Sequence, residues 1–225
     1  MAGERHLFRA SGLYNGVFVM LDDGTGSVWS HLDGLALSGA EAGAQLQILP
    51  LQTTTWGAWL AQHPGTTTVD FETGYSYRDR VNLGASGIRG TFLETLGDLD
   101  PRLPENELVI GVLAGDEAVA FPIANLPPGE PMQAEVGGVP VVIFEDIEGM
   151  PALAYHRLLT DGTVLDFERR EGAIYDLQTG SQWSASGRAL EGDLAGVQLA
   201  FVTSFFTEWY GWAAFHPETG IFEGA

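Results

Sequence analysis

The stretch that decides the fold is TGSVWSHLDGLALSGAEAGAQLQILPLQTTTWGAWLAQHPGT, at Thr25 to Thr66, and it returns as TGSQWSASGRALEGDLAGVQLAFVTSFFTEWYGWAAFHPET, at Thr179 to Thr219. With one deleted residue, 20 of 41 paired positions are identical, whereas ordinary composition gives roughly one in fifteen by chance. Self-similarity over this length indicates a duplicated structural unit. We call each stretch, together with the residues that lead directly into it, the first or the second repeat.

Each repeat begins with the pattern of a β-hairpin. An apolar run, GVFVML at 16–21 or GAIYDL at 172–177, precedes a turn, and the chain resumes as a strand at 27–30 or 181–184. An Asp three residues before a Thr-Gly pair favours a side-chain-capped turn with glycine at positive φ. The candidate binding residues on these hairpins are Asp22, Thr25, Ser27, Trp29, Asp176, Thr179, Ser181 and Trp183.

Each repeat ends with the pattern of a short helix, after a further predicted strand at 45–49 or 198–202. One face of this helix carries Trp, Trp and His at spacings i, i+3 and i+7, and a proline follows each histidine. These faces are further candidate binding residues, namely Trp56, Trp59, His63, Trp209, Trp212 and His216. The aromatic rings would suit sugar or cofactor stacking, but the same spacing is typical of a helix that packs on a core, and we favour that interpretation.

The rest of the chain predicts an asymmetric pair of units. Residues 1–73 form a first, incomplete unit, 74–105 an extended connection rich in Gly, Asp and Arg, and 106–225 a second, complete unit. Short apolar runs between 107 and 170, separated by turn residues, predict several strands that the first unit lacks. The predicted fold class is mainly β, at the margin of α+β: a duplicated barrel- or sandwich-like unit with one short Trp-containing helix per copy.

Composition limits the classes of function. Thirty acidic residues against ten basic ones, all of them Arg, leave a formal charge of −20. Nucleic-acid binding is excluded on this balance. The absence of Lys, together with this charge, indicates a high-GC or salt-adapted source. The chain has no Cys, hence no disulfide or thiolate site. No apolar run approaches the ~18 residues of a membrane span, and the start lacks the apolar stretch of a signal peptide. These features predict a soluble protein, and they do not indicate its localisation.

Metal-binding patterns are incomplete. His63 and His216 occupy the same position in both repeats, and a divalent-metal site there would need His31, His156 or carboxylates as further ligands. The simpler interpretation is a histidine at a helix C-terminus, where the helix dipole favours its charged form. The Asp22–Gly26 loop resembles a calcium loop, but its counterpart at 176–180 has lost half of the ligands. The acidic residues Glu145, Asp146 and Glu148 are read as a solvated edge.

No catalytic motif is present: the chain has no Gly-x-Ser-x-Gly elbow, HExxH, P-loop or dinucleotide fingerprint. No catalytic residue and no cofactor are therefore nominated. The leading hypothesis is a non-catalytic β-rich binding or scaffold protein. The alternative is a metal-binding protein or metal-dependent enzyme that uses His63 and His216 with carboxylates.

The order of motifs SGLYNG, TGSVWS, LDPRLPENELVIGV, TGSQWS and EWYGWAAFHPET resembles the domain of unknown function 3179 family over nearly the whole chain. The resemblance implies relatives that are commonly exported, and it implies no defined activity. Such relatives carry a Cys-Pro-Leu-Cys-type motif in a β half upstream of the first block, whereas the corresponding place in the second unit here is FEDIEGMP at 144–151. The first unit is thus half a unit, or the native start lies upstream of Met1. An unpaired sheet edge predicts pairing with the second unit or with another chain, for example in a homodimer.

Overall fold

The computed structural model describes residues 5–51, 55–68, 90–145 and 151–224. This part of the chain is mainly β, as predicted. In chain order its strands are β1 (Phe8–Tyr14), β2 (Val17–Asp22), β3 (Val28–Ser30), β4 (Ala36–Ser38), β5 (Leu108–Ala114), β6 (Glu117–Pro122), β7 (Met132–Val136), β8 (Val139–Glu145), β9 (Pro151–His156), β10 (Phe167–Arg170), β11 (Ala173–Asp176), β12 (Gln182–Trp183), β13 (Ala189–Glu191), β14 (Ser204–Glu208) and β15 (Gly220–Ile221). The α-helices are α1 (Trp56–Gln62) and α2 (Trp209–Phe215), and 3-10 turns span Gly90–Thr95 and Ile123–Asn125.

The two repeats form matching antiparallel sheets. Sheet I has the order β1-β2-β3-β4 and sheet IV the order β10-β11-β12-β13. Each sheet has a register shift at the same place, next to the Trp of its third strand, so that Trp29 pairs with Ala36 and Trp183 with Ala189. Gly26 and Gly180 adopt φ of +69° and +71°. The predicted hairpins and their glycine turns are therefore confirmed in both repeats.

Two further sheets lie between the repeats in sequence. Sheet II has the order β14-β5-β6-β15, in which β15 runs parallel to β6 and the other pairs are antiparallel. Sheet III is the antiparallel meander β7-β8-β9. The predicted runs after Glu107 account for β5, β6, β8 and β9, because each is a short apolar segment bounded by turn residues.

The hydrophobic core is built by stacking these layers. Three apolar clusters lie between α2 and sheet II, between sheets II and III, and between sheets III and IV. The buried members of all three clusters fall between Val109 and Ala213. Sheet I joins this stack at α2, where the Tyr14 and Phe215 rings meet edge to face with centroids 6.2 Å apart.

Three details of the predicted architecture are corrected. Within the described residues the four sheets are open, and none closes into a barrel, so that only the layered alternative describes the fold. The strand predicted at 198–202 begins instead at Ser204 and pairs with β5. The strand predicted at 45–49 is also wrong, because only an isolated bridge at Gln45 forms there. Residues 74–89 of the predicted connection lie outside the described residues, while Thr95 within it accepts a hydrogen bond from the Gly16 backbone N–H at 3.1 Å. The unit boundaries at 73 and 105 stay predictions.

Candidate binding surface

The hairpin residues nominated from the sequence form closed polar networks around a buried aspartate. In the first repeat Thr25 Oγ1 donates to Asp22 Oδ2 at 2.7 Å, and the Ser27 hydroxyl accepts the Glu41 backbone N–H at 3.0 Å. Both Asp22 and Ser27 are fully buried. Such bonds satisfy groups that are costly to bury unpaired, so the network holds the turn against the loop that follows it.

The second repeat has the same network and completes it with its Trp. Thr179 Oγ1 donates to Asp176, and Leu194 donates its backbone N–H to Ser181 Oγ at 3.0 Å. Trp183 Nε1 donates to Asp176 Oδ2 at 2.9 Å. The close approach of the loop requires glycine, because a Cβ on Gly192 would lie 2.7 Å from the Ser181 Cα. A ligand-binding role for these residues stays a prediction, and in this structure they support the hairpin.

The first repeat departs from this network at one position. His6 Nδ1 donates to Asp22 Oδ2 at 2.8 Å, on the oxygen that corresponds to the Trp183 acceptor. The Trp29 indole N–H is buried and has no partner among the described residues. The hydrogen bond from His6, with help from Thr25, lowers the pKa of Asp22 to about 2. An N-terminal histidine thus replaces the Trp as the partner of the turn aspartate.

The two helices make the same local contacts, including the same side-chain hydrogen bond. Trp59 Nε1 donates to Thr66 Oγ1 at 2.8 Å, and Trp212 Nε1 donates to Thr219 Oγ1 at 2.8 Å. The Trp59–His63 ring centroids are 4.1 Å apart, and the second pair, Trp212 and His216, has the same separation. The Trp, His and Thr positions therefore form one preformed unit in each repeat.

The surroundings of the two helices differ completely. Trp209 and Trp212 are 0% exposed, whereas their counterparts Trp56 and Trp59 are 53% and 41% exposed. The same contrast holds for the segment before each helix, where Leu49 is 68% exposed and its counterpart Val202 only 2%. Sequence spacing predicts the apolar helix face correctly, but it does not show whether anything covers that face.

Five first-unit positions share this contrast with buried second-unit counterparts. We call them the uncovered face: Phe8, Leu49, Leu51, Trp56 and Trp59, whose counterparts are Phe167, Val202, Ser204, Trp209 and Trp212. Phe8 corresponds to Phe167 because they pair with the two turn aspartates and meet the two hairpin Trp rings edge to face.

One segment of the chain contacts all five counterparts, and Arg102, which lies before it, adds a contact to the Trp209 ring. We call residues 107–156, which contain β5 to β9, the cover segment. Phe144 packs edge to face on Phe167 with ring centroids 5.1 Å apart. The Val202 backbone N–H donates to the Ala154 carbonyl at 2.9 Å, and Trp209 donates its backbone N–H to the Glu107 carbonyl at 2.8 Å. The first unit has no such segment in the part of the chain that the structure describes.

A cleft adjoins the uncovered face. Its volume is about 470 Å³, and its lining is mostly apolar, with Leu49 and Leu51 on the first unit and Leu153, Phe205 and Phe206 on the second. His31 also borders it. This volume lies in the range of sites that take apolar side chains or small ligands.

The repeated histidines are predicted as alternative metal ligands, and the described residues around them can be compared with that hypothesis. Within the described ranges, no group of three or more His, Cys, Asp or Glu side chains has the arrangement needed to hold a metal ion. His216 borders a second cleft of about 440 Å³ with Asp116, Glu117 and Glu218. Burial lowers the pKa of His216, against an opposing effect of the Asp33 carboxylate. The neutral form of His216 is therefore favoured, contrary to the expectation from the helix dipole.

The remaining acidic candidates are placed as follows. Asp23 of the calcium-like loop forms an ion pair with Arg9, and Asp22 is the buried partner of His6. Asp146 and Glu148 lie outside the described residues. Burial lowers the pKa of His156, which lies on β9.

The described chain is thus a mainly β protein with two matching four-stranded sheets, one of which lacks the layers that cover the other. It belongs to the family described as protein of unknown function (DUF3179), whose profile matches residues 2–219. No curated protein and no solved structure matches the chain. Among the described residues, no helix has the length and apolar character needed to cross a bilayer.

Proposed function

We propose that this chain is a non-catalytic, β-rich binding or scaffold protein whose binding surface is the uncovered face of the first unit. One observation carries the proposal: Trp56 and Trp59 are about half exposed on a helix whose counterpart in the same chain buries both Trp rings completely. The helix unit is therefore of a kind that packs against another layer.

The energetics of exposure support a binding role. Exposed single apolar side chains are ordinary on protein surfaces, but apolar groups clustered on neighbouring elements mark interaction sites. Leu49 and Leu51 lead directly towards α1, and their exposed fractions of 68% and 84% are high for leucine. Trp is also the residue most enriched at the centres of protein interfaces.

The other repeated residues support the same proposal by elimination. The hairpin residues Asp22, Ser27 and Trp29 are buried, and so are their counterparts, so that their repetition is explained by folding. Thr25 and Thr179 are accessible but bond to the turn aspartates, so that the accessible apolar surface among the nominated residues is the helix face of the first unit.

The test uses an environment-sensitive apolar dye such as bis-ANS on the full chain. The variant Trp56→Gln/Trp59→Gln removes two aromatic rings but keeps residues with good helix propensity. We expect it to lose most of the dye fluorescence at unchanged circular dichroism. The matched control, Leu177→Gln/Leu190→Gln, removes two other apolar side chains, 57% and 51% exposed, and should bind dye like the parent. Equal dye binding by the parent and the Trp variant would refute the proposal.

A further inference from the structure

We propose that the occupant of the uncovered face is a partner protein that presents an antiparallel β layer of the same kind as the cover segment. This inference rests on the proposed function and names the partner class for that surface. The second unit supplies the template, because each contact that buries its five counterpart residues is visible in the same chain.

The first expected contact is strand pairing beside Leu49 and Leu51. In the second unit the corresponding backbone forms hydrogen bonds to two strands of the cover segment. The Val202 N–H donates to the Ala154 carbonyl, and the Thr203 carbonyl accepts from the Leu113 N–H, each at 2.9 Å. Within the described chain, residues 49–51 have no backbone hydrogen-bond partner. A backbone segment without partners is a place where a strand can be added, with main-chain bonds supplying affinity and side-chain pockets supplying specificity.

The second expected contact is a glycine in the partner's strand beneath Trp59. Trp212 lies on β5 so closely that a Cβ built on Gly111 would be 2.1 Å from the indole ring. The Trp59 ring is held in the same way, by Thr66 and His63, as the Trp212 ring is by Thr219 and His216. A partner strand with any side chain at this position would collide with a ring that is fixed in place.

The third expected contact is an aromatic or large aliphatic side chain on Phe8. Phe167 is only 4% exposed because Phe144 of the cover segment packs on it, whereas Phe8 is 37% exposed. Phe8 already meets Trp29 edge to face, with ring centroids 5.9 Å apart. An added ring would complete the row of three edge-to-face rings that Phe144, Phe167 and Trp183 form in the second unit.

The described residues of a second copy of this chain do not provide the required layer. They include one cover segment, and the second unit of that copy already occupies it. Exchange of cover segments between two copies would cover one first unit only by uncovering one second unit, with no net burial. The partner therefore brings a β layer that is additional to those in this chain.

The test supplies an extra cover segment to the full chain. A second copy of residues 107–156 is fused to the N-terminus through a flexible linker of ~20 residues, which spans roughly 25 Å and gives a millimolar effective concentration. The readout is quenching of Trp fluorescence by acrylamide, a neutral quencher that the charge of −20 does not repel. In the parent, two of the six Trp residues are exposed. We expect the fusion to abolish the accessible fraction.

A matched control separates specific docking from nonspecific collapse. The same fusion with Gly111→Leu in the added segment only should keep Trp59 accessible, because the leucine meets the fixed indole ring. A second probe avoids dependence on folding of the added segment: a cyclised hairpin peptide of residues 107–123, used in trans at moderate salt, since the peptide and the chain are both acidic. Protection by either probe, lost with Gly111→Leu, supports the proposal.

Two outcomes would overturn it. If neither the fusion nor the cyclised hairpin reduces quenching, the partner is not a layer of this kind. The proposed function is then decided separately by bis-ANS: it stands if dye binding depends on Trp56 and Trp59, and it is refuted if dye binding does not. If the parent alone forms a dimer by sedimentation, with Trp quenching that decreases as the dimer forms, the occupant is a second copy of the chain.

Discussion

The matched pair Trp59→Ala and Trp212→Ala measures what the cover segment contributes to stability. Both Trp residues donate to a Thr hydroxyl at 2.8 Å and lie 4.1 Å from a His ring, so the loss of these local contacts is common to the two variants. They differ in burial, at 41% exposed for Trp59 and 0% for Trp212. The difference in free energy of unfolding therefore reports the additional burial of Trp212.

The magnitude follows from the exposed area. For a side chain of up to ~250 Å², an exposure difference of 41% is about 100 Å², which at ~25 cal/mol per Å² is about 2.5 kcal/mol. Truncation of Trp212 also leaves a cavity, which brings its total cost to ~3–5 kcal/mol. Subtracting the burial difference leaves about 1–2 kcal/mol for Trp59→Ala, from the lost hydrogen bond and from the part of the ring that is buried.

The assay is urea unfolding followed by far-ultraviolet circular dichroism, which does not depend on the number of Trp residues. For a chain of this size, 1 kcal/mol corresponds to ~2–4 °C in Tm, so calorimetry provides an independent check. Equal destabilisation by the two substitutions would show that Trp59 is buried in the protein in solution, and the asymmetry of the two units would then be refuted.

Three further substitutions test other contacts. Gly111→Ala places a methyl group within the Trp212 ring and should lower the free energy of unfolding by ~1–3 kcal/mol through overpacking. Gly57→Ala on α1, where nothing lies within 4 Å, should instead raise it by up to ~1 kcal/mol through helix propensity. The reverse order of stabilities in urea unfolding would contradict the packing described. Because the pKa of Asp22 is lowered from 3.8 to about 2, the stability it contributes is complete above pH 4 and is lost as the pH falls towards 2. His6 is the largest cause of this shift, so His6→Ala should lose less Tm than the parent between pH 4 and pH 2, and an unchanged acid dependence would exclude the His6–Asp22 hydrogen bond.

Local structure could be predicted from the sequence wherever neighbouring residues determine it. The turn after Asp22 or Asp176 depends on a carboxylate, a hydroxyl and a glycine within five residues, and it forms in both repeats. The strand β14 was misplaced by several residues, because its pairing with β5 joins residues almost a hundred positions apart. Local propensity carries no information on such pairing.

Burial was the part that the sequence could not determine. Trp59 and Trp212 stand in nearly identical sequence and make the same bonds, yet one is exposed and the other is fully buried. The deciding residues belong to the cover segment, far from either helix in sequence. The only available signal was indirect: the apolar runs between 107 and 170 have no counterpart in the first unit.

The identity of the two helix units has a consequence for binding. Because the Trp59 ring is already fixed by Thr66 and His63 without a cover, a partner does not have to order this side chain, and immobilising a flexible one costs ~0.5–1.5 kcal/mol. A Trp ring that contacts only water needs no fixed orientation, so exposure to solvent alone does not account for this arrangement. The rigid geometry instead favours a partner that fits the ring closely, as β5 fits Trp212 through Gly111. Loosening the ring with Thr66→Val, which removes only the hydrogen-bond acceptor, should therefore weaken capture of the added cover segment more than it changes the stability of the chain alone.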